Sequence, residues 1–289
     1  ENNGELSFRH GPTASDVTLA ANIEIFIGTA FNDFFTLSAT TTYSTSMTIH
    51  AGDGNDNLWS GLGNDFLYGE AGDDRLRGHD GVDYFDGGAG IDTVDLLIFN
   101  FTTQGVVADL RTGVITNDGF GHSETMVNVE NLSAGSVLAD TLDGNDSDNV
   151  LRAFGSGDTL NGHGGNDRLE IDSAGQYDGG DGIDTLVYIA DSYAIADGAA
   201  GNGIDGRWDR NNISQDIHFD LSTNSILNDG FGNSGTVSNI ENLEIRVSTA
   251  FVDVTVIGSN ADDNIFLSVD GEIEVYGGFG DDVITVDRS

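Results

Sequence analysis

Aspartate recurs at positions 56, 65, 74, 83 and 92, nine residues apart, and the frame around it recurs too. From residue 51 the chain reads AGDGNDNLW, SGLGNDFLY, GEAGDDRLR, GHDGVDYFD and GGAGIDTVD, with glycine fourth, aspartate sixth and an apolar residue eighth in every block. Glycine reaches backbone conformations with φ > 0 that other residues avoid, so a GGxGxD stretch can turn tightly and point several carbonyls into one concavity. The aspartate adds a carboxylate to that oxygen surface. Hard oxygen donors in a flexible, many-coordinate cradle suit calcium, whereas magnesium demands a tight octahedron. Zinc is disfavoured because the chain has no cysteine and its six histidines form no ligand cluster. An EF-hand also fails: Asp53, Asn55 and Asn57 imitate its first ligands, but Leu58 stands where its glycine belongs. The candidate ligand turns of this array are Gly52, Gly54 and Asp56; Gly61, Gly63 and Asp65; Gly69, Gly72 and Asp74; Gly78, Gly81 and Asp83; and Gly87, Gly90 and Asp92.

Such turns need strands to hold them. The three residues after each turn alternate, which puts Leu58, Leu67, Leu76, Phe85 and Val94 inward and their neighbours outward. One nonapeptide is then half a coil, and two make a coil of 18 residues. Blocks two apart stack, pairing Asp56 with Asp74, Asp65 with Asp83, and Asp74 with Asp92. Alternate blocks occupy opposite faces. One face carries Trp59, Arg75, Arg77 and Thr93; the other carries Phe66, Tyr68 and Tyr84. We expect the connector at 96–132 to fold back over the aromatic face; left uncovered, it would be a patch for protein or glycan contact.

A second, looser array spans 144–187. GHGGNDRLE (162–170) and GGDGIDTLV (179–187) are regular; GNDSDNVLR and AFGSGDTLN are degenerate, and IDSAGQYD is one residue short. Its candidate ligands are Asp158; Gly162, Gly165 and Asp167; and Gly179, Gly182 and Asp184. A third array begins at 277 with Gly277, Gly280 and Asp282. A longer repeat encloses all three. ADLRTGVITNDGFGHSETMVNVENL (108–132) matches FDLSTNSILNDGFGNSGTVSNIENL (219–243) at 15 of 25 positions. The expected organisation is an incoming segment, 1–21, followed by unit 1 at 22–127 with array 51–95 and connector 96–127. Unit 2 follows at 128–238 with array 144–187, a Gly- and Asp-rich surface loop at 191–218 and connector 219–238, and unit 3 starts at 239. Asp33, Asp140 and Asp263 lie in Gly-Ser/Thr-x-x-x-Asp phrases before the arrays and suit turn capping as well as metal binding. His79 and His163 hold the second position of a block, where exposure is expected. In the 191–218 loop Trp208 can stack on a sugar or partner, or cover the loop's own core.

Composition agrees with bound cations. Asp and Glu total 49 against ten basic residues, all arginine, for a formal charge of −39. That excess opposes compaction by self-repulsion, which cations would neutralise. Yet 38% of residues are hydrophobic, too many for a disordered acidic tail. The missing basic footprint argues against nucleic acid as a partner, and no apolar run of 18 residues offers a transmembrane helix. The chain opens with Glu and has no secretory signal, so it reads as a fragment or processed product. Absence of cysteine fits either the cytosol or a secreted protein without disulfides. No HExxH, GxSxG, Walker A or Rossmann context appears, and the chain reads as non-enzymatic.

The blocks at 51–95, 162–170, 179–187 and 277–285 resemble RTX, or haemolysin-type, calcium-binding repeats. The connector ending in NVENL or NIENL resembles segments that link such arrays in large secreted RTX proteins. The resemblance implies an all-β fold: tandem right-handed parallel β-rolls, made of RTX nonapeptide coils and joined by β-rich connector segments. It also implies type I secretion, with folding on several calcium ions outside the cell. The function implied is a calcium-dependent structural or adhesive segment of a secreted or cell-surface bacterial protein, such as an S-layer protein or adhesin. The alternative is a non-catalytic RTX region of a secreted polysaccharide-modifying enzyme, lipase, protease or toxin. The partners implied are calcium ions, with self-assembly or contact to a cell-surface glycan or protein.

Overall fold

The eighth-position column forms the core its spacing predicts. Leu58, Leu67, Leu76, Phe85 and Val94 are completely buried, stacked because their strands pair in parallel two blocks apart. The computed structural model describes residues 9–10, 25–36, 44–97, 102–136, 138–189, 213, 215–247 and 252–287. Among these the chain is an all-β parallel solenoid of tandem β-rolls, with no α-helix and a single 3₁₀ turn at Leu221–Thr223. No described helix is long and apolar enough to cross a membrane. The chain divides into two units, residues 1–134 and 135–289.

In the first unit one wall runs Asp33–Thr36, Asn57–Trp59, Arg75–Arg77, Thr93–Leu97 and then Asn131–Gly135. The other runs Ile25–Ile27, Thr48–Asp53, Phe66–Ala71 and Tyr84–Ala89. The coil starts before the recognisable array, with Phe35 opposite Leu58 and Ile49 opposite Leu67. The phrase GTAFNDFFT at 28–36 is therefore itself a half-coil, with Asp33 sixth and Phe35 eighth.

The described part of the connector does not cover the wall; it becomes part of it. Glu124–Val127 pairs in parallel with Tyr84–Ala89, Val114–Asn117 returns antiparallel, and Val107–Asp109 returns again. The reason is alternation: Met126, Ile115 and Ala108 are buried while Thr125, Val127, Thr116 and Val107 are exposed, so the meander buries its apolar face only by joining the wall. The aromatic face is consequently open. Phe66 is 45% exposed, and Tyr68 and Tyr84 are half-buried. Tyr84 lies 6.1 Å from Phe66 and 5.8 Å from Tyr68 between ring centroids, and His50 stacks on Tyr68 at 4.7 Å. On the opposite wall Arg77 lies 4.3 Å over the Trp59 ring and, with Arg75, engages the buried carboxylate of Asp95. Burial opposes ionisation of Asp95, but the two guanidinium groups outweigh it and hold its pKa below the ordinary carboxylate value.

The second unit repeats the plan. Val150–Phe154, Arg168–Ile171, Thr185–Ile189, Asn242–Val247, Asn264–Val269 and Val283–Asp287 pair in parallel. Opposite them, Thr141–Asp143, Thr159–Asn161, Gln176–Asp178 and Gly235–Ser238 pair in parallel. The chain then turns back through Ser225–Asp229 and Ile217–Asp220, and resumes in parallel with Val254–Ile257 and Ile273–Tyr276. Most of the expected surface loop at 191–218 lies outside the described residues; within it, Ile217 is completely buried and, with His218, belongs to a strand. Its apolar alternation with Phe219 places it in the wall. Trp208 lies outside the described residues.

Candidate metal centre

Each aspartate of the first two arrays ends its turn, folded back under the backbone and buried. The amide of one aspartate donates to the carboxylate one coil on: Asp56 to Asp74 at 2.7 Å, Asp65 to Asp83 at 2.8 Å and Asp74 to Asp92 at 2.8 Å. These are the pairs the nine-residue period requires. The ladder also takes in the lead-in aspartates. The amide of Asp33 donates to Asp56 at 2.6 Å, that of Asp140 to Asp158 at 2.9 Å, and that of Asp263 to Asp282 at 3.1 Å. Each also caps its own turn by accepting the amide of Thr29, Ser136 or Ser259. In the second unit Asn149 donates to Asp167 and Asp167 to Asp184, both at 2.7 Å. Asp282 keeps its place but is only half-buried.

The glycines do two jobs. At Gly72 φ is +131°, and a Cβ would lie 2.0 Å from the Gly54 carbonyl oxygen of the turn below. Gly54, Gly81, Gly90, Gly165, Gly182 and Gly280 share this fourth position with positive φ, and Gly52, two residues before Gly54, has positive φ as well; Gly63 holds the fourth position without it. At Gly78, the first position, a Cβ would lie 1.9 Å from Oδ2 of Asp83, so only glycine lets the aspartate fold back. Gly69, Gly87, Gly162, Gly179 and Gly277 stand in the same relation to Asp74, Asp92, Asp167, Asp184 and Asp282. Gly61 instead gives its amide to Asp65 Oδ2 at 3.1 Å.

One carboxylate oxygen on each of Asp33, Asp56, Asp74, Asp83, Asp92, Asp167 and Asp184 is buried with no hydrogen-bond partner. Burial, together with neighbouring carboxylates, pushes the pKa of Asp74 up to about 7 and those of Asp56, Asp92 and Asp167 to about 6. Buried oxygens with no donor, lined up between carbonyl-bearing turns, fit calcium.

Two glutamates that sequence reasoning left without a role end these ladders. The amide of Asp92 donates to Glu130 and that of Asp184 to Glu241, each at 2.8 Å. They are the glutamates of NVENL and NIENL, and the buried Leu132 and Leu243 two residues later carry the signal that could have placed them. The second array lacks one rung: Gly175 stands where an aspartate would, and the Tyr177 hydroxyl donates instead to the Ser173 carbonyl at 2.8 Å. His79 and His163 are half-buried rather than exposed, and their residues take φ of 67° and 75° inside the turn. Burial and nearby Arg77 lower the His79 pKa to about 4. The histidines are also not all remote from other ligand types: Asp80, Asp118 and His122 offer donor atoms within 4.8 Å of one another. Asp80 precedes Asp118 by 38 residues, which hid the cluster.

Comparison with curated proteins gives no significant match. The family model for the RTX calcium-binding nonapeptide repeat matches residues 48–67, 61–94 and 135–169, in four copies. With the aspartate ladders and their glycine-cleared turns, that match establishes that the chain carries RTX calcium-binding nonapeptide repeats, whose cofactor is calcium in several ions.

Proposed function

We propose that this chain is a calcium-dependent structural and adhesive segment of a secreted or cell-surface protein, which folds when it meets extracellular calcium. The observation that carries the reading is the column of buried aspartate oxygens without donors. Each such acceptor costs about 1–3 kcal/mol if nothing satisfies it. Asp56, Asp65, Asp74, Asp83, Asp92, Asp158, Asp167, Asp184 and Asp282, with the carbonyls of their glycine turns, are the proposed ligands. An ion between stacked turns joins two coils at once, so binding and folding are one event. At low calcium the formal charge of −39 keeps the chain open. Millimolar calcium fills sites of ~10⁻⁴–10⁻³ M affinity. At ten times its dissociation constant each site stabilises the fold by about 1.4 kcal/mol through mass action. The proposed repeating units lie at 22–127, 128–238 and from 239, and the segment itself is non-catalytic. The reading is tested by far-ultraviolet circular dichroism at pH 7.5: excess chelator should abolish most of the β signal and calcium should restore it. Full β signal in excess chelator would sink the proposal.

A further inference from the structure

The first connector brings carboxylates to the end of the first array. Thr125 pairs with Tyr84, so Glu124 stands beside Asp83, where another nonapeptide would set its aspartate. Both side chains are buried. Neither Glu124 oxygen nor Asp83 Oδ2 is paired in good hydrogen-bond geometry, although the Asp83 amide and carboxyl face Glu124 closely enough to act on it. Asp118, completely buried, takes the amides of Phe120, Gly121 and His122 on Oδ1, each at 2.9 Å. Its Oδ2 lies 3.3 Å from His122 Nδ1, and Asp80 Oδ1 lies 3.3 Å from the same nitrogen. The Asp80, Asp118 and His122 donors are within 4.8 Å of one another, close enough to surround one ion. The charges of Asp83 and Asp118 act on Glu124, so the two buried carboxyls lie next to the triad.

The second unit shows the same hairpin without the pocket. Asp118, His122 and Glu124 correspond to Asp229, Asn233 and Gly235, and Asp83 to Gly175. Asp229 accepts the Phe231 and Asn233 amides on Oδ1, and the Ala174 amide and Asn233 side-chain amide on Oδ2. Neutral donors thus satisfy both its oxygens. A Cβ on Gly235 would lie 2.1 Å from the Gly175 carbonyl oxygen, so the space that Glu124 occupies is closed there.

We propose that Asp80, Asp118 and His122 form a divalent-cation site at the seam between the first array and its connector, with the buried carboxyls of Asp83 and Glu124 beside it. Its mixed carboxylate–imidazole donors distinguish it from the all-oxygen turns. Carboxylates suit calcium or manganese, and an imidazole admits manganese or zinc. The test is a full-length double variant, His122→Asn with Glu124→Gly, which installs the residues that the second unit already carries in this hairpin. All array aspartates and glycines are kept, so the difference from the unaltered chain reports the seam and not the nonapeptide turns. Bound calcium is counted by equilibrium dialysis. Manganese is then added to the calcium-saturated proteins and counted by electron paramagnetic resonance. The unaltered chain should hold one ion more per chain than the variant, with equal β signal in saturating calcium. A difference in the calcium count assigns the seam to calcium; a difference in the manganese count alone assigns it to a nitrogen-accepting metal. Equal counts for both ions overturn the site and leave a proton shared by Asp83 and Glu124. Should the double variant fail to fold in calcium, Asp80→Asn, at a half-exposed side chain, is counted in the same way, with the same outcomes deciding.

Discussion

The arrays at 51–95 and 144–187 wind the same half-coils with different chemistry at their turns. The inward column is intact in both: Leu151, Leu160, Leu169, Tyr177 and Leu186 are as buried as Leu58, Leu67, Leu76, Phe85 and Val94. The sixth-position column is not. It reads Asp56, Asp65, Asp74, Asp83, Asp92 in the first array and Asn149, Asp158, Asp167, Gly175, Asp184 in the second. Where the second array loses a carboxylate it gains a neutral bond, from the Asn145 amide to Asn149 at 2.7 Å or from Tyr177 to Ser173. The coil is therefore set by the apolar period, and the demand for cations by the acids. The two properties are encoded at different positions and can drift separately.

The largest expected effects test the shared layer. Leu76→Ala and Leu169→Ala each remove a completely buried side chain and should cost about 2–5 kcal/mol in saturating calcium. Urea unfolding of the two variants would measure it, and a large cost in one array with none in the other would break the comparison. A smaller effect tests the acid layer. Asp74→Asn keeps the acceptor for the Asp56 amide but removes a charge. It should raise the calcium concentration at half-folding roughly tenfold, about 1.4 kcal/mol. Asn149→Asp should act in the opposite direction and add calcium to the second array. If neither substitution moves a calcium titration, the acids do not set the demand.

The smallest effect is a pH dependence in chelator. The pKa values of Asp56, Asp74 and Asp92 are raised to about 6, 7 and 6, against roughly 3.9 in an unfolded chain. A raised carboxylate makes the folded state bind protons that the unfolded state releases. Its stabilising contribution is complete below about pH 4 and is lost as pH rises through 6–7. The second array has Asp167 raised to about 6 and Asp184 raised as well. With fewer such groups, it should respond less. Hydrogen exchange in chelator at pH 5 and pH 7.5, corrected for intrinsic rates, should show acid protecting 56–92 more than 150–187. Equal protection would contradict the argument.

The ladder and its core were legible because glycine, aspartate and the eighth residue keep strict spacing. Legibility failed where the backbone kept the coil but the acid or the glycine changed. Glu124 and Met126 form a half-coil beside Tyr84–Ala89, yet glutamate replaces aspartate, and while Gly119 keeps the first position, His122 stands at the fourth and the second glycine falls at 121. Glu130 and Leu132 repeat the substitution. In the lead-in phrases the first glycine and the sixth aspartate survive, but the fourth residue, Phe31, Leu138 or Ala261, masks the motif. The expectation that the connector covers Phe66 and Tyr68 failed for another reason: a strand that adds to a wall and one that lies over it can carry the same alternation. The acidic pocket at Asp118 was out of reach, since its members meet only through the register of Thr125 on Tyr84.

The rungs differ in the length of chain they close. Asp56, Asp65 and Asp74 each bond 18 residues ahead, but Asp92 reaches Glu130 across 38 residues and Asp184 reaches Glu241 across 57. Closure entropy grows with the logarithm of loop length. Those two steps therefore cost about 0.7 and about 1 kcal/mol more than an ordinary rung. As a polymer, each unit has its costly closures where the connector returns to the array, at Thr125 and Glu130 in the first and at Thr236 and Glu241 in the second, and not in the blocks whose motif has decayed.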